Sequence, residues 1–394
     1  MKRKVALVRG SGLTKFELQY YEPLLEKFDI TAICSLTNPF DLSDVKIPVK
    51  RLLSVYDFEV LFPRALKLRK IYQRIFYYEL FLQKIFNLEK FLQNFDIIHS
   101  SDVEYYYTYQ CAKAKLKYNK KFVFTQWQNI PFAYGFQNYS FTKSQRFKLI
   151  KNAVDVVIAK SQRAKLTLIL EGFDERKIIV IKPGVDVEKF KPTPKSEKLI
   201  AKFKISESDK IILFSGRLQW QKGIIVLLNA LKLLLNDKEI NKNKIKLIIV
   251  GTGQLYRWLN KYVRFLEIQD NVIFAGAVEY NEMPNYHNLA DVFVLPSVPD
   301  RRWQEQFGMV LIEAMACGKP VITTLSGSIP EVVEDKAILV QPFDFYELYK
   351  ALKKVLTDEH LAKEMGEKAR EFVIQNYNAK DVANKIENVY NSLL

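Results

Sequence analysis

Two carboxylates eight positions apart, Glu305 and Glu313, lie in the segment EQFGMVLIEAMACGKPV, residues 305–321. Met309, Val310, Ile312, Ala314, Met315 and Ala316 suit a helix that begins near Phe307. Gly318 stands where a left-handed cap belongs, and Pro320 follows it. Glu305 then precedes the helix start and Glu313 lies inside it. The free N–H groups and dipole of a helix N-terminus attract phosphate oxygens. Two carboxylates flanking that end could hydrogen-bond sugar hydroxyls. A plainer arrangement stays open on pattern alone, with Glu305 a capping charge and Glu313 facing solvent. Against it, a carboxylate set among apolar residues is costly without a partner.

Three further segments follow short apolar runs in the same way. In SGRLQWQKG, residues 215–223, Gly216 permits a tight turn, and Arg217 and Lys222 offer a fork-shaped and a compact cation for phosphate. A surface ion pair would explain two lone cations equally. Gly251-Thr252-Gly253 makes a second glycine turn, weak by itself. In TLSGSIPE, residues 324–331, Ser326, Gly327 and Ser328 form a polar loop, Ser328 can cap the next helix, and Pro330 fits its first turn. Four such loops converging on one sheet edge, with two cations and two carboxylates, point to a nucleotide diphosphate sugar.

The elements that would position them are short runs rich in Val, Ile and Leu. In the first half these are Val5–Val8, Ile30–Ile33, Ile97–Ile98, Phe122–Phe124, Val156–Ala159 and Ile178–Ile181. In the second half they are Ile211–Phe214, Leu247–Val250, Val272–Phe274, Val292–Leu295, Val321–Thr323 and Ile338–Val340. Continuous rather than alternating runs mark strands covered on both faces, and their alternation with helical patterning predicts parallel, doubly wound α/β sheets. Two sets predict two domains, which also suits 394 residues. The linker is expected in KFKPTPKSE, residues 189–197, and a long helical stretch from Asp344 to Leu394 is interrupted near 375–379. The expected boundaries are 1–190 for a first, acceptor-binding domain and 191–375 for a nucleotide-sugar domain. A C-terminal helix, 376–394, is expected to cross back to the first domain.

Composition narrows the classes. Hydrophobic residues at 48% and charged residues at 26% are those of a globular chain, not a disordered one. The net charge of +16 is lopsided: residues 1–192 carry 33 Lys and Arg against 19 Asp and Glu, and residues 193–394 carry 27 against 25. The first half is therefore expected to meet something anionic. Cys34, Cys111 and Cys317 are scattered, as are His99, His287 and His360, which disfavours disulfides and a zinc site. The opening MKRKVALVRGSG is too short in apolar residues for a signal peptide, and no window suits a spanning helix. A cytoplasmic protein is expected, touching a membrane only peripherally, from its inner face. Residues 60–95 place Arg69, Lys70, Arg74, Lys84 and Lys90 among Leu68, Tyr72, Ile75, Leu82, Phe86 and Leu92 at helical spacing. A helix of about 25–30 residues there reads either as a packed helix with a solvated face or as one lying on an anionic membrane. No nucleic-acid motif accompanies the charge, so a nucleic-acid partner is not expected.

Taken in order, the second-half motifs resemble the donor domain of the family-4 retaining glycosyltransferases. That family's Glu-x7-Glu is matched by Glu305 and Glu313, and its GR…KG element by Gly216-Arg217 and Lys222-Gly223. Its glycine turn is matched by Gly251 and Gly253, its ADVFVLPS stretch by residues 290–297, and its GVD…F.P junction by residues 184–186 and 190–192. The resemblance implies the GT-B fold, two Rossmann-like domains facing each other across a cleft. It implies hexose transfer from a nucleotide diphosphate sugar to an acceptor hydroxyl with retained anomeric configuration, and no metal or other cofactor. Arg217 and Lys222 would neutralise the diphosphate, and Glu305 would hold the transferred sugar near the backbone of Gln306, Phe307 and Gly308. Glu313 would hold the ribose. Gly216, Gly251, Gly253, Gly327 and Ser328 would shape the donor site, and Gly12, in the loop Gly10-Ser11-Gly12, would approach the donor phosphates. Ser328 replaces a family glycine, and the loop Thr125–Asn129 lacks a histidine many members carry. His99, Gln126 and Trp127 are then the acceptor candidates. An anionic or lipid-linked acceptor is expected. A soluble sugar or sugar-phosphate acceptor, a nucleotide-sugar epimerase and a nucleic-acid-binding protein are the competing readings.

Overall fold

The computed structural model describes residues 2–61, 83–133 and 141–394. They form two compact units, one of Met1–Gly184 with Ala379–Leu394, the other of Val185–Asn378.

The first unit is built on seven strands: β1 (Arg3–Gly10), β2 (Phe28–Ser35), β3 (Val49–Leu52), β4 (Ile97–Ser101), β5 (Lys121–Gln126), β6 (Val156–Ala159) and β7 (Ile178–Val180). All pair in parallel, in the order β3-β2-β1-β4-β5-β6-β7. Along β1, Val5 and Leu7 join the core on one face while Ala6 and Val8 join the core on the other. Both faces are therefore buried, which is why the strand reads as an unbroken apolar run. Six of the seven strands follow the expected runs. The seventh, β3, reads VKRL, and neither of its inner residues is buried. It is an edge strand, paired only with β2, and its Lys50 and Arg51 hide it from an apolar-run reading. The helix Ala379–Leu393 packs Val382, Ala383, Ile386, Val389 and Tyr390 into one of the two cores.

The second unit contains β8 (Lys210–Ser215), β9 (Ile245–Val250), β10 (Val272–Gly276), β11 (Val292–Leu295), β12 (Val321–Thr324) and β13 (Ile338–Val340). They too are parallel, in the order β10-β9-β8-β11-β12-β13. Both sheets thus run third, second, first, fourth, fifth, sixth in their own chain order, the doubly wound arrangement, and the first adds a seventh strand at its far edge.

The chain leaves the first unit at Gly184, five residues before KFKPTPKSE begins. That stretch is tied down inside the second unit. Phe190 is wholly buried against Tyr280 and His287, and Asn288 grips the backbone of Lys191 and Thr193. Two prolines here mark an anchored segment rather than a loose tether. Of the helix expected in 60–95, residues 62–82 lie outside the described residues, and with them Leu68, Arg69, Lys70, Tyr72, Arg74, Ile75 and Leu82. The part that follows is not a continuation of one long helix. Ile85 bridges to Ser54, Asn87 has a positive φ, and only Leu88–Leu92 is helical. No described helix is long and apolar enough to cross a membrane.

Candidate active site

In the second sheet the connections from β8 and β11 lead to opposite sides, so the ends of these adjacent strands form a switch point where ligands of open α/β sheets bind. The loops of SGRLQWQKG, Gly251-Thr252-Gly253, the Glu305 segment and TLSGSIPE all leave strands at this carboxyl edge. β8 ends at Ser215 and runs into Gly216-Arg217, and β11 ends at Leu295 and runs into Pro296-Ser297. The loops after β8 and β9 lock together through their backbones. Gly216 N–H donates to Val250 O (3.0 Å) and Leu218 N–H to Thr252 O (2.9 Å). Gly251 has φ +123°, and a Cβ there would lie 2.0 Å from Gly216 O. Glycine is demanded by the close approach as well as by the dihedral.

Glu305 is held from several directions. Its Oε2 accepts from Lys222 Nζ and from Ser297 Oγ, each at 2.7 Å. Its carbonyl accepts the Ser328 N–H at 2.9 Å. Gly327, at φ +57°, passes so close that a Cβ would fall 2.0 Å from that carbonyl. The loop residues thus act on Glu305 through backbone atoms, and Ser328 in place of glycine keeps the N–H that does so. Lys222 also lies 4.9 Å over the Trp303 ring. Both members of the ion pair are largely buried, at 19% and 7% side-chain exposure, where a charge-assisted bond is strong. Arg217, by contrast, is exposed, and among the described residues no ion pair holds it.

The helix starts at Met309, two residues later than expected, with Gly308 at φ +85° as its N-cap. Phe307 turns its ring into the core, at 1% exposure and edge-on to Tyr377, so only its backbone faces the strand ends. Gln306 is half-buried. Glu313 does not face solvent. It is 3% exposed, its Oε1 accepts from Tyr280 Oη at 3.1 Å, and its Oε2 lies 3.6 Å from His287 Nε2. Tyr280 and His287 carry no motif; their place beside Glu313 comes only from the fold. Ser326 Oγ is buried without a hydrogen-bond partner among the described residues.

The first unit treats its expected residues differently. Gly12 caps a turn back to Arg9 O at 3.0 Å, and Ser11 is held by Gln83 through N–H and hydroxyl (3.1 and 2.7 Å). His99 is wholly buried, with Nδ1 2.6 Å from Tyr390 Oη and Nε2 2.8 Å from Thr125 Oγ1. Burial, with the nearby Arg9 and Lys160 cations, holds its pKa well below the ordinary histidine range. It is a neutral core residue with both nitrogens engaged. Gln126 is buried too, accepting from Val103 N–H and donating to Glu104. Of the three acceptor candidates only Trp127 is partly exposed, its backbone N–H held by Asp102. Two features had no sequence signal. Arg9 Nε and Glu17 Oε1 form a buried pair at 2.7 Å. Lys160 is wholly buried, with no hydrogen-bond partner for Nζ among the described residues, lying 4.6 Å over the Tyr20 ring and 5.8 Å from the Trp127 ring.

Comparison with known proteins bears on the family and the fold. Residues 195–372 match the family described as glycosyl transferases group 1, and residues 38–189 match glycosyltransferase family 4. The N-acetyl-alpha-D-glucosaminyl L-malate synthase of Bacillus anthracis is 30% identical over 199 residues, 50% of this chain and 49% of that one. A GDP-mannose-dependent phosphatidylinositol monomannoside mannosyltransferase of Mycobacterium tuberculosis is 31% identical over 209 residues, 52% of this chain and 53% of that one. The chain spans about half the length of the curated relatives it matches. Among solved structures, Anabaena HepE in complex with UDP and glucose superimposes over all of both chains, with a TM-score of 0.77 at 19% identity. With two Rossmann-like sheets, both halves matched by family models and the motifs gathered on one edge, the chain belongs to the family-4 glycosyltransferases of GT-B fold.

Proposed function

We propose that the protein transfers a hexose from a nucleotide diphosphate sugar to an acceptor hydroxyl with retention of configuration. The observation that carries this reading is the Lys222–Glu305 pair at the β8/β11 switch point, fixed by Ser297 and by the loop at Gly327-Ser328. A carboxylate so fixed presents its remaining lone pairs in one direction, which suits the hydroxyls of a sugar. Lys222 and the exposed Arg217 would take the diphosphate, and the backbone N–H groups of Gln306–Gly308 would lie beside it. The buried Ser326 hydroxyl is a further donor for it. Glu313, steadied by Tyr280, would take the ribose.

As the glycosidic C–O bond breaks, negative charge grows on the departing diphosphate. Fixed cations and N–H dipoles aimed there stabilise that charge without having to reorganise. The new C–O bond forms on the same face of the sugar, and the acceptor's proton passes to the departing phosphate oxygen.

The acceptor in this reading is anionic or lipid-linked. The +14 balance of residues 1–192 supports it, as does the phosphatidylinositol mannoside named for the mycobacterial relative. The malate of the Bacillus relative favours a small soluble acceptor instead. A thermal-shift screen with UDP-glucose, UDP-N-acetylglucosamine and GDP-mannose tests the donor: one should raise Tm in proportion to log concentration. No shift with any nucleotide sugar would overturn the reading. Transfer assays with the identified donor, offering malate or phosphatidylinositol as acceptors, separate the two acceptor classes.

A further inference from the structure

The helix Tyr256–Phe265, YRWLNKYVRF, follows the Gly251–Gly253 turn. Leu259 and Val263 face the core. On its outer side Trp258, Tyr262 and Phe265 form a ladder of rings, with centroids 4.8 and 6.2 Å apart and planes within 19° and 17°. Trp258 is 45% exposed and Phe265 79%. Tyr256, 42% exposed, lies on the helix face of Leu259 and Val263, with its ring edge-on to Phe274, and is not part of the ladder.

Arg257, Lys261 and Arg264 recur at three- and four-residue spacing, so they form a second stripe alongside the ladder, and all three are exposed. The helix contains no Asp or Glu. In a half of the chain whose balance is only +2, this is a local concentration of positive charge. Leu259 and Val263 bury the inner face, and half-buried Tyr262 is pinned by its hydroxyl to Asn229 Oδ1 at 2.7 Å, which fixes the middle of the ladder. Trp258, Phe265 and the three cations stand outside that packing, and none of them lies among the residues used for the donor.

We propose that this helix docks the second unit on an anionic lipid bilayer. Aromatic rings settle at headgroup depth, and a cation stripe beside them pairs with lipid phosphates, the arrangement of a helix lying in a membrane interface. Charge and ring geometry favour a bilayer over the nearest competitors. A second copy of the chain docked symmetrically would set like cations face to face. Single-stranded nucleic acid stacks successive bases on open ring faces, and here the ladder fills its own inner faces, leaving only the outer faces of Trp258 and Phe265. The inference is independent of the basic segment at 62–82 and of the donor chemistry.

Sedimentation of the full chain with vesicles tests it. Wild-type protein should bind mixed phosphatidylcholine–phosphatidylserine vesicles at low salt and release as salt rises. It should bind phosphatidylcholine vesicles far less. Replacing Arg257, Lys261 or Arg264 by Gln should weaken partitioning about fivefold per residue. The double variant Trp258→Ser/Phe265→Ser should weaken it by about tenfold or more. Lipids brominated near the headgroup should quench tryptophan emission in wild type, and Trp258→Phe should lose most of that quench. Nucleotide-sugar thermal shifts, measured on the same variants, show that the unit remains folded. Absence of binding at low salt, or binding unaltered in the double variant, overturns the proposal. So does binding of a uridine oligonucleotide that the same substitutions abolish while vesicles are ignored. If vesicles bind and no nucleotide sugar shifts Tm, the transferase reading fails and this one stands.

Discussion

Two sheets of the same strand order end in arginines that do opposite things. In the first unit the order is strand, Arg9, then Gly10; in the second it is strand, Gly216, then Arg217. Because Arg9 is still on the strand, its side chain is directed into the molecule. There it meets Glu17, the carbonyls of Val8 and His99, and Tyr21 Oη. Arg217 lies beyond the glycine and reaches solvent. One position of offset separates a cation that holds the fold from one left available for a ligand. The neighbours follow suit. Lys222 and Glu305 pair at the second edge, whereas at the first edge His99 is sealed and Lys160 is buried with no hydrogen bond among the described residues.

The comparison predicts that charge removal at the first edge damages stability and charge removal at the second damages turnover. Glu17→Gln leaves the Arg9 guanidinium buried without its counter-charge, which costs about 3–5 kcal/mol. Chemical denaturation should show a loss of that order. In protein that remains folded, donor affinity should stay within about twofold of wild type, and a large loss of donor affinity would erase the distinction. Glu305→Gln should weigh the other way: transfer slowed by about 10²–10³, with a loss of stability smaller than that of Glu17→Gln because Lys222 keeps partial access to water. Near-normal transfer in Glu305→Gln would remove Glu305 from the mechanism.

The same offset explains what was legible beforehand. At the second edge each functional element is contiguous with a strand end, so GR…KG, GTG and Glu-x7-Glu could be read one loop at a time. Topology then only had to bring the strand ends together. At the first edge the partners are remote. His99 meets Tyr390, 291 positions away, and Thr125, 26 away. Nothing local marks His99 as a core residue rather than an acceptor ligand. Tyr280 and His287 were silent for the same reason, since their bearing on Glu313 exists only once their helix packs beside it. β3 was missed for a different one: an edge strand needs no apolar run.

Lys160 sharpens the contrast. Burial pushes its pKa down to about 7 from an unfolded value near 10.5. At pH values between these two, the unfolded chain binds a proton that the folded chain lacks, so stability should rise with pH across that window. Below about pH 7 both states carry the proton and the burial cost is present in full; above about 10.5 neither does and the cost is gone. Lys160→Met should abolish this rise and be more stable than wild type at pH 6 by about 1–3 kcal/mol. Denaturation series at pH 6 and pH 9.5 measure it. An unchanged slope in the variant would show that the ammonium is compensated in the folded protein.

The smallest effects come from two hydroxyls, one in each unit. Ser297 Oγ donates to Glu305 Oε2 at the second edge, and Thr125 Oγ1 pairs with His99 Nε2 at the first. Each orients a larger group and carries no charge, so each loss should be a fraction of its neighbour's. Ser297→Ala removes one charge-assisted bond but leaves Lys222 on the carboxylate, and should raise the KM for donor by about tenfold with kcat nearly intact. Thr125→Val keeps the volume and strands one histidine nitrogen, and should cost about 1–2 kcal/mol of stability with KM for donor unmoved. If Ser297→Ala instead lowered kcat as far as Glu305→Gln, the direction of the carboxylate rather than its charge would be what the sugar requires. If Thr125→Val altered donor KM, the first edge would be contributing to donor binding, and the division between a structural edge and a ligand edge would fail at that residue.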